Sequence, residues 1–208
     1  FINGRPNDNI GITLFAGETF TQCPLTVDHA VLLDMIHNIK CGLITDGTAV
    51  GMGIANAVTR LKDSKAKSKV IILLTDGTNN KGDISPMTAA EIAKSFGIRV
   101  YTIGVGTNGM APYPYPVGNT VQYVSMPVEI DEKTLTEIAG TTDGNYFRAT
   151  SNSKLKEVYE EIDKLEKTKL NVKEYSKRDE EYHWFALAAF LCVLLEVLLR
   201  NSVLKKIP

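Results

Sequence analysis

Two Asp-Gly-Thr tripeptides, at 46–48 and 76–78, are the residues of this sequence with the clearest capacity for chemistry. The first precedes a helical pattern, and the second ends the apolar run 70–74. In open parallel sheets the ligand site lies beyond the carboxyl ends of the strands, so such loops are where chemistry is expected. A nucleotide site, an aspartyl-phosphate site and a divalent cation site are the three chemistries to be compared.

A nucleotide site is not favoured. The segment Gly104-Val-Gly-Thr-Asn-Gly109 has GxGxxG spacing after a predicted strand, but that motif holds pyrophosphate at the start of a helix. Here the proline-rich segment 110–116 follows instead. Gly51 and Gly53 lie inside a helical pattern without a third glycine, so we interpret them as small residues that allow close helix packing.

Phosphotransfer through an aspartyl nucleophile is excluded by the residues before each tripeptide. The tripeptides resemble those of haloacid-dehalogenase-type phosphatases, in which the nucleophilic Asp stands two residues earlier. Ile44 and Leu74 occupy those positions, and neither is a nucleophile. The histidines are His29, His37 and His183, and we expect them at the surface or at the membrane edge. No nucleophile and base therefore come together. The chain is predicted not to be an enzyme.

A divalent cation site is the remaining chemistry. Magnesium prefers hard oxygen ligands and keeps several waters, so Thr48 and Asp76 from separate loops can serve it if other oxygens complete the shell. The alternative is that Thr48 only caps a helix and that Asp76 only ends a strand in a turn.

The composition is that of a globular domain. The chain has 208 residues, a net charge of -1, 44% hydrophobic and 23% charged residues, which excludes disorder, collagen and coiled coil. No basic patch is present, so no nucleic-acid partner is expected. The cysteines form neither a disulfide framework nor a zinc-ligand spacing; they are Cys23, Cys41 and Cys192.

Apolar runs of strand length alternate with helical patterns from residue 10 to about 167, which predicts an α/β fold. We expect a doubly wound, mostly parallel sheet with helices on both faces. The stretch 104–130 is expected to be irregular, except for a short strand at 121–124 paired across Gly118-Asn119. The other predicted strands are 10–15, 19–23, 70–74, 98–103 and 145–149, and the predicted helices begin at Asp28, after Thr48, at Ser85, at Asp131 and at 153.

Residues 168–208 differ in character from the rest of the chain. We predict a charged linker over 168–181, a transmembrane helix over 182–204 and a short tail over 205–208, because 184–195 is apolar without a break. The alternative is a terminal helix packed on the domain. Positive charges stand on both sides of the span, so they do not decide its orientation.

Four segments carry a resemblance to a known family. Asn9–Gly17, Asp46–Gly51, Val70–Gly77 and Val100–Gly106 resemble the successive landmarks of a von Willebrand factor type A domain, over about residues 1–167. The resemblance implies that Thr48 and Asp76 are ligands of a metal-ion-dependent adhesion site. Such a site would hold Mg²⁺ or Mn²⁺ and leave one position for a carboxylate of a protein partner.

The remaining ligands of that family come from a DxSxS motif at the end of the first strand, and this sequence contains none. The first residue is Phe1, not Met, so we expect that the first strand and most of the first helix lie upstream and that 1–167 is a domain lacking its first strand. The metal is therefore conditional on an upstream DxSxS motif. The alternative is a metal-free structural scaffold.

A finer resemblance lies in Thr21–Thr26, Lys81–Pro86, Ala111–Pro116 and Met126–Asp131, which are similar to BatA-like members of the bacterial aerotolerance (Bat) group. It implies a bacterial inner-membrane protein with a periplasmic domain, involved in tolerance of oxygen or envelope stress. It also implies association with other Bat proteins and a MoxR-like ATPase.

Three tyrosines in the segment 106–128 are candidate partner-binding residues. Tyr113, Tyr115 and Tyr123 stand on a segment that leaves the same edge of the sheet as Thr48 and Asp76, and tyrosine is enriched among interface anchors. The alternative is that they pack this segment onto the domain.

Overall fold

The chain forms two compact units, residues Phe1–Lys167 and Thr168–Pro208. The computed structural model describes residues 1–40, 42, 44–106, 109–117, 120–128, 130–176 and 182–202. Within these ranges, 111–117, 121, 126–128, 168–176, 182–185, 198 and 200–202 are described by their backbone alone.

Strands and helices of the first unit follow the predicted alternation. A short 3-10 turn covers Ile2–Gly4. The strands are β1 (Ile10–Phe15), β2 (Thr19–Thr26), β3 (Lys69–Thr75), β4 (Ile98–Val105), β5 (Gly109–Val117), β6 (Thr120–Val128) and β7 (Tyr146–Ala149). The helices are α1 (His29–His37), α2 (Val50–Leu61), α3 (Pro86–Ser95), α4 (Glu132–Thr141) and α5 (Asn152–Ser176), which continues into the second unit.

The central sheet is parallel and has the order β3-β4-β7. One face is covered by α2, α3 and α4, whose buried residues include Ile54, Ala90 and Ile138. The other face is covered by α5 through Val158 and Ile162. Helices on both faces of a parallel sheet confirm the predicted α/β fold.

The hairpin β1–β2 forms a separate antiparallel sheet. It is held by α2, because the ring of Phe15 lies directly against Gly53, where an added methyl group would be 2.9 Å from Phe15 Cγ. Within the described residues, β1 is not paired with β3. Each of these strands therefore has an edge that no other described strand covers.

Helix α2 also makes a backbone contact at its other side. A methyl group on Gly51 would collide with the carbonyl oxygen of Ile84, in the segment that leads into α3. Sequence reasoning assigned Gly51 and Gly53 to close packing, and the two contacts confirm that prediction. Gly51 contacts the segment before α3, and Gly53 contacts β1.

The prediction that 104–130 is mostly irregular is wrong. The segment contains two nine-residue strands, β5 and β6, paired antiparallel with Val117 opposite Thr120. The pairing across 118–119 agrees with the prediction, and those two residues lie outside the described ranges. The prolines of β5 stand at alternate positions, where a strand edge tolerates them.

The second unit contains helix α6 (Tyr182–Ser202), within the segment predicted to span a membrane. Of the helices in the described part of the chain, none is long and apolar enough to cross a membrane. The transmembrane helix predicted over 182–204 is therefore not confirmed. Residues 168–176 of the predicted linker are helical, and 177–181 lie outside the described residues.

Candidate functional site

The two Asp-Gly-Thr loops meet at the carboxyl end of the parallel sheet. Asp76 follows directly after β3, and Thr48 lies in the loop that leads into α2. A methyl group added to Gly77 would lie 3.3 Å from Thr48 Oγ1, so the Thr48 hydroxyl is next to the backbone that carries Asp76. The structure thus brings the two predicted residues together at one edge of the sheet, the rim formed by the loops 46–48 and 76–80.

Two asparagines join the loops. The Thr48 N–H donates to Asn80 Oδ1 at 2.9 Å, and the Val50 N–H donates to Asn79 Oδ1 at 2.8 Å. In return, the Asn80 N–H donates to the Thr48 carbonyl oxygen at 3.0 Å. Sequence reasoning missed both asparagines. Their position directly after a strand-ending Asp-Gly-Thr was the available signal, because Asn side chains in such loops often form hydrogen bonds with nearby backbone groups.

The Thr48 hydroxyl does not cap α2. The capping position is Ala49, whose side chain has no oxygen, and Asn79 satisfies the first N–H of the helix from the other loop. The interpretation of Thr48 as only a helix cap is therefore wrong.

Asp76 likewise does not close the turn after β3. That turn is closed by Thr75, whose Oγ1 accepts from the Gly77 N–H at 3.3 Å. Asp76 is exposed. Among the described residues, no hydrogen bond or ion pair engages the Thr48 hydroxyl or the Asp76 carboxylate, so both oxygens are available to a ligand.

Gly47 shapes the loop in front of Thr48. Its φ of +135° is a conformation that residues with a side chain rarely adopt. An added methyl group would also lie 2.6 Å from Lys81 Cγ. The Asp46 Oδ1 atom accepts a hydrogen bond from the Gly47 N–H at 2.9 Å, and this bond also stabilises the turn.

Thr48 and Asp76 fit part of a magnesium shell. They supply hard oxygens, and magnesium binds through one or two carboxylates while it keeps waters. Within the described ranges, no group of three or more His, Cys, Asp or Glu side chains could hold a metal ion. A cation at this rim therefore needs ligands beyond those residues.

The tyrosines of the predicted partner site lie in the hairpin β5–β6. The backbones of Tyr113 and Tyr115 belong to β5, and their side chains lie outside the described part of the structure. Tyr123 belongs to β6 and its side chain is 72% exposed, so it does not pack the hairpin onto the domain.

A domain with this fold and rim is found in a known family. The family model of the von Willebrand factor type A domain matches residues 1–161. The chain belongs to this family. It spans about half to three fifths of the length of the curated relatives it matches, among them an uncharacterized protein of Borreliella burgdorferi, which is 26% identical over 208 residues.

Two solved structures confirm the resemblance to Bat proteins. BatB from Bacteroides thetaiotaomicron is 33% identical with a TM-score of 0.67, covering 80% of this chain and 85% of that one. An aerotolerance-related membrane protein from Bacteroides fragilis is 31% identical with a TM-score of 0.66, covering 78% and 83%.

A third structure concerns the metal. Proximal thread matrix protein 1 from the mussel byssus has been solved with a zinc-occupied metal-ion-dependent adhesion motif. It is 26% identical to this chain with a TM-score of 0.58, covering 79% of this chain and 37% of that one.

Proposed function

We propose that this protein is a protein-binding module whose rim holds a Mg²⁺ or Mn²⁺ ion that receives a carboxylate of the partner. One observation carries the proposal: among the described residues, the side-chain oxygens of Thr48 and Asp76 make no hydrogen bond or ion pair, while Asn79 and Asn80 hold the two loops together. A hard cation needs oxygen ligands that are free to bind it and that the surrounding hydrogen bonds hold in place.

The bound cation would supply one position for an anionic ligand. The Thr48 hydroxyl and the Asp76 carboxylate are two of its protein ligands in this proposal. Waters and ligands from outside the described residues would complete the shell. The zinc-occupied motif of the mussel protein supports the assignment by family membership.

The test is a calorimetric titration of the gene's full-length product with Mg²⁺ and with Mn²⁺. Thr48→Ala and Asp76→Ala should each weaken binding on the order of tenfold or more. Thr78→Ala removes the same type of side chain from the second tripeptide and should leave binding unchanged. Absence of cation binding by the wild type would refute the proposal.

A metal-free structural scaffold is the second candidate. It is favoured by the lack, among the described residues, of any group of three acidic, histidine or cysteine side chains. A gene that encodes no DxSxS motif before Phe1, together with no cation binding, would leave the scaffold as the function.

We further propose that the protein acts in a Bat-type membrane complex linked to oxygen or envelope stress, with other Bat proteins and a MoxR-like ATPase as partners. In this proposal the second unit attaches it to the bacterial inner membrane and the first unit faces the periplasm. The support is the membrane protein from Bacteroides fragilis and the apolar surface of α6. Eight large apolar side chains are exposed around that helix: Leu187, Phe190, Leu191, Val193, Leu194, Leu195, Val197 and Leu199.

Membrane attachment is tested by fractionation of cells that produce the tagged full-length protein. The protein should sediment with the inner membrane and resist extraction by alkaline carbonate. In spheroplasts the first unit should be cleaved by added protease, whereas a cytoplasmic control protein should not. A protein recovered in the soluble fraction would contradict the attachment.

A further inference from the structure

The hairpin β5–β6 has an unusual distribution of prolines. Its register pairs Pro112 with Ser125, Pro114 with Tyr123, Pro116 with Val121, and Met110 with Pro127. Every second pair of the ladder therefore contains a proline, and no proline lies in the pairs between them.

This parity identifies the hydrogen-bonded pairs. In an antiparallel ladder, pairs that exchange two hydrogen bonds alternate with pairs that exchange none. Proline has no N–H, so the pairs that contain proline must be the second kind. The ladder bonds belong to the other pairs, such as Tyr113 with Val124 and Tyr115 with Gln122. The backbone groups of the proline-paired residues face away from the hairpin.

The two outer edges of the hairpin consequently differ. Along β5, the outward positions 112, 114 and 116 are all prolines and offer no N–H donor. Along β6, Val121, Tyr123 and Ser125 each present an outward N–H and an outward carbonyl. Of the strands in the described ranges, only β5 pairs with β6, and residues 122–125 are exposed. One edge is closed to further pairing and the other is open.

We propose that the outer edge of β6 pairs antiparallel with the same edge of a second copy of this chain. The two-fold axis passes through the Tyr123 pair, and Val121 of each copy lies opposite Ser125 of the other. Each of these pairs exchanges two hydrogen bonds, as antiparallel ladders do. The product is a four-stranded sheet of order β5-β6-β6-β5.

Two features of the hairpin favour a second copy as the occupant. Strand β6, Thr-Val-Gln-Tyr-Val-Ser-Met-Pro-Val, contains no charged residue, so pairing with itself brings no like charges together. Exposed edges are usually protected by charge or proline, and β6 has neither over 120–126, whereas β5 has three prolines. Because the β5 edges lie outermost in the four-stranded sheet, pairing stops at two copies and closes as a symmetric dimer.

The test is the oligomeric state of the full-length protein by size exclusion with light scattering, in detergent where the membrane requires it. Tyr123→Pro removes the central outward donor, and Tyr123→Ala is the matched control that keeps it. The wild type and Tyr123→Ala should be dimers, and the dissociation constant of Tyr123→Pro should rise at least tenfold. A monomeric wild type, including one that binds a strand of another protein, or a dimer unchanged by Tyr123→Pro, would overturn the proposal.

A cross-linking measurement does not depend on the folding of the proline variant. In a protein with Cys41→Ser and Cys192→Ser, Tyr123→Cys places two cysteines opposite each other, with Cα atoms about 5.5 Å apart, which a disulfide can span. Gln122→Cys is the control, because residue 122 is not opposite its own copy in this register. Oxidation should link Tyr123→Cys at least tenfold faster than Gln122→Cys. Equal rates would refute the register.

Discussion

The Tyr101 hydroxyl donates a 2.6 Å hydrogen bond to Glu166 Oε1, which joins the buried centre of β4 to α5. Glu166 is only 3% exposed and also accepts from Ser68 Oγ at 2.9 Å. The Arg99 guanidinium lies 3.3 Å from the same carboxylate and donates to Ser68. Burial raises the pKa of the Tyr101 hydroxyl, and its bond to Glu166 raises that pKa further.

This cluster leads to a stability prediction. Glu166→Gln removes the charge that Arg99 and Tyr101 face in a buried site, which should lower the free energy of unfolding by on the order of 3 kcal/mol. Glu161→Gln changes an exposed carboxylate of the same helix and should change it by less than about 0.5 kcal/mol. Chemical denaturation of the full-length protein measures both. Equal effects of the two variants would show that the cluster does not stabilise the fold.

The asparagine bridge leads to a second prediction. Asn80→Ala leaves the Thr48 N–H without its acceptor, so the Thr48 loop loses its attachment to the Asp76 loop. Cation affinity should fall about tenfold although no ligand is removed. Asn80→Asp keeps an acceptor at that place and should retain binding. If Asn80→Ala and Asn80→Asp bind the cation with equal affinity, the bridge does not position the site.

The cap of α4 allows a pH-dependent prediction. Asp131 Oδ1 accepts from the Thr134 N–H at 3.0 Å, and its hydrogen bonds with Thr134 hold the pKa of the Asp131 carboxyl below its usual value. Because the folded pKa is the lower one, this stabilisation is complete above the unfolded pKa, near 3.8, and is lost as the pH falls through the folded pKa.

Asp131→Ala should therefore cost about 1 kcal/mol at pH 7. The cost should shrink as the pH falls below about 4 and through the lowered pKa of the folded protein, where the wild-type carboxyl also becomes neutral. Asp131→Asn keeps a capping oxygen without a titrating group, so its unfolding free energy should lack this pH dependence. Denaturation curves of the three proteins at pH 7 and pH 3 measure the effect. A penalty for alanine that is the same at both pH values would contradict it.

The tyrosines of β5 give a prediction about partner capture. Replacing Tyr113 and Tyr115 together with alanine should weaken capture of the native partner in a detergent pull-down, without lowering the melting temperature. Phe20→Ala, which removes a 55% exposed ring from β2, is the control and should leave capture unchanged. A parallel loss of stability would instead assign the two tyrosines to packing.

The unpaired edges of β1 and β3 give the last prediction. Backbone groups of both strands lack strand partners among the described residues, so a protein limited to residues 1–168 should be unstable. It should aggregate or melt without cooperativity, whereas the full-length gene product should unfold cooperatively. A soluble, monomeric and cooperative melt of residues 1–168 would contradict the prediction.

Strand β3 was predictable because Val70–Leu74 is a continuous apolar run, which a sheet covered on both faces requires. Asp76 was predictable because it follows the carboxyl end of such a strand, where ligand sites lie. Thr48 was predicted as its companion from the resemblance to the von Willebrand factor type A domain. The roles of Asn79, Asn80 and Glu166 were not predictable from the sequence, because each depends on a residue at least 29 positions away. Glu166 in particular falls within an amphipathic helix pattern and shows its burial only when α5 docks on β4.

The contacts of Gly51 and Gly53 fix the position of α2. One glycine lies against the backbone of Ile84 and the other against the ring of Phe15, so a side chain at either position would displace the helix. Asn79 joins the Asp76 loop to the first turn of α2. The turn of the hairpin β1–β2 is joined to the Thr48 loop by two hydrogen bonds of 2.7 Å, from the Gly17 N–H to the Thr45 carbonyl oxygen and from the Ala49 N–H to the Ala16 carbonyl oxygen. A displacement of the rim therefore reaches this hairpin directly as well as through α2.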